Sequence, residues 1–113
     1  MNCSILNYTA APVYANGGNK GRHEWLIEFS VEPSDIEQFA SRLDSLLQQE
    51  NSDYQAKRYN GIFLDCLSVI VARKRLFDDW LASTGKLGGQ RKVPRLCNDR
   101  RFIEPMLLLN KKV

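Results

Sequence analysis

Between His23 and Val31 the chain alternates. His23, Trp25, Ile27, Phe29 and Val31 fall on one parity, and Glu24, Leu26, Glu28 and Ser30 on the other. Side chains of a strand point to opposite faces in turn, so this period of two predicts a half-buried strand, one face on a core and one in water. Shortly afterwards Ser34-Asp35-Ile36-Glu37 has the form of a capping box, with Ser34 accepting from the Glu37 amide while Glu37 reaches back. Ile36, Phe39, Ala40, Leu43, Leu46 and Leu47 then recur at helical spacing, opposite a polar face of Gln38, Arg42, Asp44, Gln48 and Gln49. A strand that feeds straight into a capped amphipathic helix requires a fold mixing both element types.

The rest of the pattern extends this core. Residues 8–14 read as a short strand, with Pro12 pointing to a sheet edge because proline cannot donate to a ladder. The Asn16–Gly21 loop joins it to the first strand as a hairpin. Asn51-Ser52-Asp53 breaks the helix and caps a second, which carries Tyr54, Lys57 and Arg58 and ends near Gly61. Residues 62–72 are apolar on both alternating faces, as expected of a central strand covered on two sides. Leu76, Phe77, Trp80 and Leu81 predict a short helix stopped at Gly85. Asn98 caps a last helix, in which Pro105 either makes a kink or sits in the first turn of a late start. The expected class is α+β: a small mixed sheet of three to four strands, a hairpin plus a central strand, with helices packed on it in the order ββαβαα. At 113 residues one hydrophobic core and a single domain over 1–113 are expected.

Several function classes recede. Cys3, Cys66 and Cys97 are odd in number and far apart, giving neither a CxxC metal pair nor a paired disulfide framework. A reducing, cytoplasmic setting is the expectation, since no run approaches the ~20 apolar residues of a membrane span and the N-terminus lacks a basic flank before an apolar stretch. The net charge of +3 is too mild to imply a specific nucleic-acid partner, and a monomer is expected. The excess is uneven, however: Arg91, Lys92, Arg95, Arg100, Arg101, Lys111 and Lys112 face only Asp99 and Glu104 near the C-terminus.

Free-standing enzyme signatures are missing: there is no P-loop, GxSxG elbow, HExxH or Gly-rich dinucleotide fingerprint. His23 is the single histidine and reads as a packed or edge residue rather than a base. Asp78-Asp79 and Asp35 with Glu37 read as solvated helix charges. The segment Gly85–Leu96 is different. Gly88 and Gly89 let a backbone approach a ligand, Pro94 stiffens the chain after Lys92, and Arg91, Lys92 and Arg95 supply cations. Two readings stay open for it, a solvated basic loop or a cradle for phosphate or carboxylate oxygens.

Three blocks in order, His23–Phe29, Asn51–Arg58 and Gly88–Arg100, resemble the C-terminal domain of the auxin-responsive promoter family, the plant and bacterial acyl-acid amido synthetases, and match the bacterial branch better than the plant one. The resemblance covers about Tyr8 to Asn110. It implies an acyl-adenylate-forming enzyme that activates a carboxylic acid with ATP, Mg2+ accompanying it, and passes the acyl group to an amine. The nucleotide loops and acyl pocket belong to an N-terminal adenylation domain, for which this chain has no room, so the chain alone is expected to be inactive. The C-terminal domain rotates over that site, and its Gln-x-Lys-x-Pro-Arg stretch delivers a lysine to the phosphates. The resemblance therefore assigns Lys92 as catalytic, with Gln90, Lys92 and Arg95 at the nucleotide and no metal ligand. Cys97 stands where serine is common, and Pro105 interrupts a helix that usually continues. The alternative is a free-standing module that holds a polyanion or a protein without catalysis.

Overall fold

The structure, a computed structural model, describes residues 3–14, 20–59, 64–83 and 99–111. Strands β1 (Ser4–Val13) and β2 (Arg22–Val31) pair antiparallel, with Tyr8 opposite Ile27 and Pro12 opposite His23. Helices α1 (Ile36–Glu50) and α2 (Ser52–Arg58) then carry the chain to β3 (Ser68–Val71). That strand runs parallel to β2, with Trp25 opposite Val69 and Ile27 opposite Val71. A parallel partner needs such a crossover, whereas β1 and β2 need only a turn. Helices α3 (Leu76–Ser83) and α4 (Ile103–Lys111) complete an α+β fold on a three-stranded sheet. Among the described residues no helix is long and apolar enough to cross a membrane.

Sheet order is β1-β2-β3, which corrects one expectation: β2, not the 62–72 run, is the central strand. Within that run the described strand is confined to Ser68–Val71, with Leu64 bridging Gly21. The physical reason lies in the backbone between them. The Leu64 carbonyl accepts from Arg58 Nη1 at 3.1 Å and the Leu67 amide donates to Asp44 Oδ1 at 3.5 Å, so beyond the bridge to Gly21, where the Asp65 amide donates to Gly21 O at 2.9 Å, side chains of α1 and α2 hold this stretch instead of a continuous ladder.

Strand β2 is also covered on both faces, where the alternation predicted one in water. Trp25, Ile27 and Phe29 pack with Ala10, Ala40, Leu43 and Phe39, whose ring meets Phe29 edge-on at 5.3 Å. Leu26 on the other face joins Ala11, Leu76, Phe77, Trp80, Ile103 and Met106. Glu24 and Glu28 share that second face and are buried. Buried carboxylates require partners, and both have them. Glu28 accepts from the amides of Arg75 (3.1 Å) and Phe77 (3.4 Å) at the start of α3, while Glu24 Oε1 accepts from Arg100 Nη2 at 2.7 Å. Glu28 thus serves α3 as a cap supplied from a distant strand, satisfying N–H groups that a helix start leaves orphaned. Arg75 takes a left-handed φ of 66° at this corner. Glu28→Ala should lower stability by about 1–3 kcal/mol, the cost of leaving buried donors unmade, whereas the exposed Arg42→Ala should stay within about 0.5 kcal/mol. Urea unfolding of both variants checks this, and equal midpoints would remove the capping role.

The helix ends show what fixes them. The cap of α1 is Asp35 rather than Ser34: Asp35 Oδ1 accepts from the amides of Glu37 (3.0 Å) and Gln38 (3.1 Å), placing a carboxylate at the positive end of the helix. Asn51 ends one helix and starts the next, donating its amide to Leu47 O at 2.9 Å and accepting from the Tyr54 amide at 3.0 Å. Pro105 falls in the first turn of α4, where proline is tolerated, between the Glu104 and Met106 amides that donate to Arg100 O at 3.1 Å and Phe102 O at 3.4 Å.

Candidate functional site

Gln90, Lys92 and Arg95 lie in 84–98, outside the described residues, as do Gly85, Cys97 and Asn98. What is described is the frame on which that segment is mounted. It leaves from α3 just after Ser83, and the chain is described again from Asp99. Trp80 near the end of α3 meets Phe102 before α4 edge-on at 6.1 Å, within one apolar cluster. Arg100 then fixes the re-entry, donating to Pro12 O at 3.0 Å, Glu24 Oε1 at 2.7 Å and Glu104 Oε1 at 2.9 Å. These hydrogen bonds to Glu104 and Glu24 outweigh burial and raise the Arg100 guanidinium further above its ordinary range. The far end of α4 is tied as well: Asn110 Oδ1 accepts from the Arg73 amide at 2.8 Å and its Nδ2 donates to Val71 O at 3.3 Å.

One of the C-terminal cations is therefore committed. Arg100 binds two carboxylates and a carbonyl. Arg101 sits 3.4 Å from Asp99 and over the Phe102 ring at 5.4 Å, but its side chain is largely exposed and such a pair contributes little.

A second polar centre lies between α1 and α2, and the sequence pattern misplaced it. Asp44, assigned above to the polar face, is 3% exposed. Its carboxylate accepts from the Tyr54 hydroxyl, from Arg58 Nε (2.9 Å to Oδ1) and Nη2 (2.8 Å to Oδ2), and from Gln48 Nε2 at 2.8 Å. Burial pushes the Asp44 carboxyl up, but the hydrogen bonds from Arg58, Tyr54 and Gln48 and the Arg58 charge outweigh it, leaving the acid below its usual range. Burial and the bond to Asp44 drive the Tyr54 hydroxyl strongly up, so it stays protonated and donates. The missed signal was spacing: Asp44 follows Ala40 by four and precedes Leu47 by three, inside the apolar stripe. Within the Asn51–Arg58 block, Asn51 caps a helix and Tyr54 and Arg58 are committed to this polar centre.

His23 is half-buried, with its ring 5.1 Å from that of Tyr54. Burial first, and then the nearby Lys57 charge, lower its affinity for a proton, against a smaller pull from Asp44. Among the described residues no group of three metal-ligating side chains is assembled.

This frame has known counterparts. A GH3.15 acyl acid amido synthetase is similar to the chain with a TM-score of 0.72 at 15% identity, over 98% of this chain and 20% of that one. A complex of AtGH3.15 acyl acid amido synthetase with 2,4-DB gives the same TM-score at 14% identity, over 96% and 20%. The chain spans about a fifth of the length of those proteins. No curated protein sequence matches it. The sequence pattern of the GH3 family C-terminal domain matches residues 1–101, nearly the whole chain, and on that match the chain belongs to the GH3 family.

Proposed function

We propose that this chain is the mobile C-terminal cap of an ATP-dependent acyl-acid amido synthetase, closing over an N-terminal adenylation domain and supplying Lys92 to the phosphate region. The observation that carries the reading is the family match over 1–101 in a chain only about a fifth as long as the synthetases it resembles. Lys92 stabilises the charge that builds on the α-phosphate as pyrophosphate leaves. Gln90 and Arg95 hold neighbouring oxygens, and an amine then takes the acyl group. An ammonium is worth far more to that charge in a water-poor site, so its delivery must coincide with closure. The frame suits such delivery, because both flanks of 84–98 are pinned to the sheet and to each other through Arg100, Trp80 and Phe102. ATP with Mg2+, the carboxylic acid and the amine are held mainly by the N-terminal domain, and the setting is cytoplasmic.

Two observations weigh against the polyanion-binding alternative. Arg100 is engaged in part-buried ion pairs, and Trp25 and Phe29 are buried instead of offering bases a stacking surface. Pyrophosphate exchange tests the proposal. The 113-residue chain alone should show none above background, and a longer protein containing it should exchange and lose that activity when these residues are deleted. Exchange by the isolated chain, or exchange indifferent to the deletion, overturns the reading.

A further inference from the structure

Strand β3 lies at an edge of the sheet, with β2 on one side only. In a parallel pair the N–H and C=O of one residue point to the neighbouring strand, and those of the next point away. The Ala72 amide donates to Ile27 O at 2.8 Å, so by this alternation Ser68 and Ile70 also face β2, and Leu67, Val69 and Val71 face outward. Side chains serve the first and last of these: the Leu67 amide donates to Asp44 Oδ1 at 3.5 Å, and Val71 O accepts from Asn110 Nδ2 at 3.3 Å. Midway, the outward N–H and C=O of Val69 have no partner among the described residues. Beside that gap α1 leaves a cleft of about 330 Å3, lined by Ile36, Glu37 and Ala40 from the helix and by Cys66, Leu67 and Val69 from the strand side. Val69, Ile70 and Val71 are of the types most given to strands, yet each is only half-buried. None of the usual guards of a free edge, a lysine, a proline or a bulge, falls in β3. The lining carries the Glu37 carboxylate, Asp65 adjoins its Cys66, and among the described residues it includes no cation.

We propose that a basic, extended peptide segment of a partner protein adds to this edge as a further strand, antiparallel to β3, with one large apolar side chain in the cleft. Opposing residues of an antiparallel pair share a face, so the residue opposite Val69 can exchange both backbone bonds with it and turn its side chain toward Ile36 and Ala40. Residues two positions to either side lie on that same face, where lysines suit Glu37 and Asp65. A second copy of the chain is the poorer occupant, because four residues of strand offer far less than the roughly 1,000 Å2 that a stable interface buries. The surface is separate from Lys92 and does not depend on the synthetase reading.

The probe is the acetylated, amidated peptide Lys-Val-Leu-Val-Lys, added to the 113-residue chain and followed by amide NMR spectra. Binding should be weak, with a Kd of about 1 mM for so small a contact, and should shift the amides of Ile36, Ala40 and Val69. Methylating the leucine nitrogen removes the donor to Val69 O and should weaken binding about tenfold. Glu37→Gln should weaken it about fivefold, the value of one close charge in water. Glu37 is exposed, so its variant keeps the fold, which the same spectra report. No shift at Val69, equal binding by the methylated peptide, or equal binding to the Glu37→Gln chain would overturn the proposal. Shifts at residues 68–71 that grow with the concentration of the chain alone would give the edge to a second copy and overturn it as well.

Discussion

Asp44→Ala should cost the fold about 3–5 kcal/mol, because it strands a buried guanidinium instead of merely deleting a bond. The Arg58 side chain is 16% exposed, and its Nε and Nη2 both donate to this one carboxylate, leaving only Nη1 for Leu64 O. Tyr54 and Gln48 lose their acceptor in the same step. Against a total stability of about 5–15 kcal/mol for an ordinary domain, the loss is large. Tyr54→Phe removes one of the donors while keeping the ring, and should cost only about 1 kcal/mol. Urea unfolding followed by circular dichroism compares the two, and an Asp44→Ala shift no larger than that of Tyr54→Phe would refute the argument. The pH dependence has a definite sign. The folded-state acid lies below its ordinary value of 3.8, so the stabilisation is fully present above that value and is lost as pH falls through the depressed one. Asp44→Ala should accordingly flatten the acid limb of the stability curve.

Under the proposed cap role, Lys92→Ala in a longer protein containing this chain carries the other large expectation. Pyrophosphate exchange should fall by about a hundred- to a thousandfold, roughly 3–4 kcal/mol, on the scale of removing one preorganised donor from a developing anion. Single-turnover transfer from preformed acyl adenylate should fall much less, since in the role proposed for Lys92 the charge that the ammonium answers belongs to adenylation. Lys86→Ala controls for simple loss of loop charge, because Lys86 precedes the Gly88-Gly89 pair and lies outside the Gln-x-Lys-x-Pro-Arg stretch. Small and equal losses for the two lysines would reduce 84–98 to a solvated basic surface, and Lys92 would have no catalytic role.

Legibility in the sequence followed the range of the interactions. The elements set by near neighbours were readable: the stripe of α1, the Asn51 break and cap, the β1–β2 pairing and the short α3 all follow from residues a few positions apart. Apart from the α1 cap, where Asp35 takes the place expected of Ser34, what failed depended on distant partners. Glu24 and Glu28 looked like a wet face because the groups that cover and satisfy them, Arg100 and the start of α3, stand 76 and 47 positions away. Asp44 looked like surface because Arg58 comes from the next helix. The apolar run at 62–72 looked central because periodicity reports burial and is blind to sheet order. The Lys92 assignment came from resemblance alone, and no spacing rule leads to it.

The two buried glutamates of β2 also set an order of events during synthesis. A ribosome delivers β1, β2 and α1 well before Arg75, Phe77 and Arg100 emerge. Until then Leu26 has no complete cluster, and any attempt to close that face would bury two carboxylates without partners. The early hairpin can settle against α1, but its other surface must wait, wet and charged, for the last third of the chain. Those same charges keep a half-made sheet soluble during the interval in which exposed apolar strands would associate with one another.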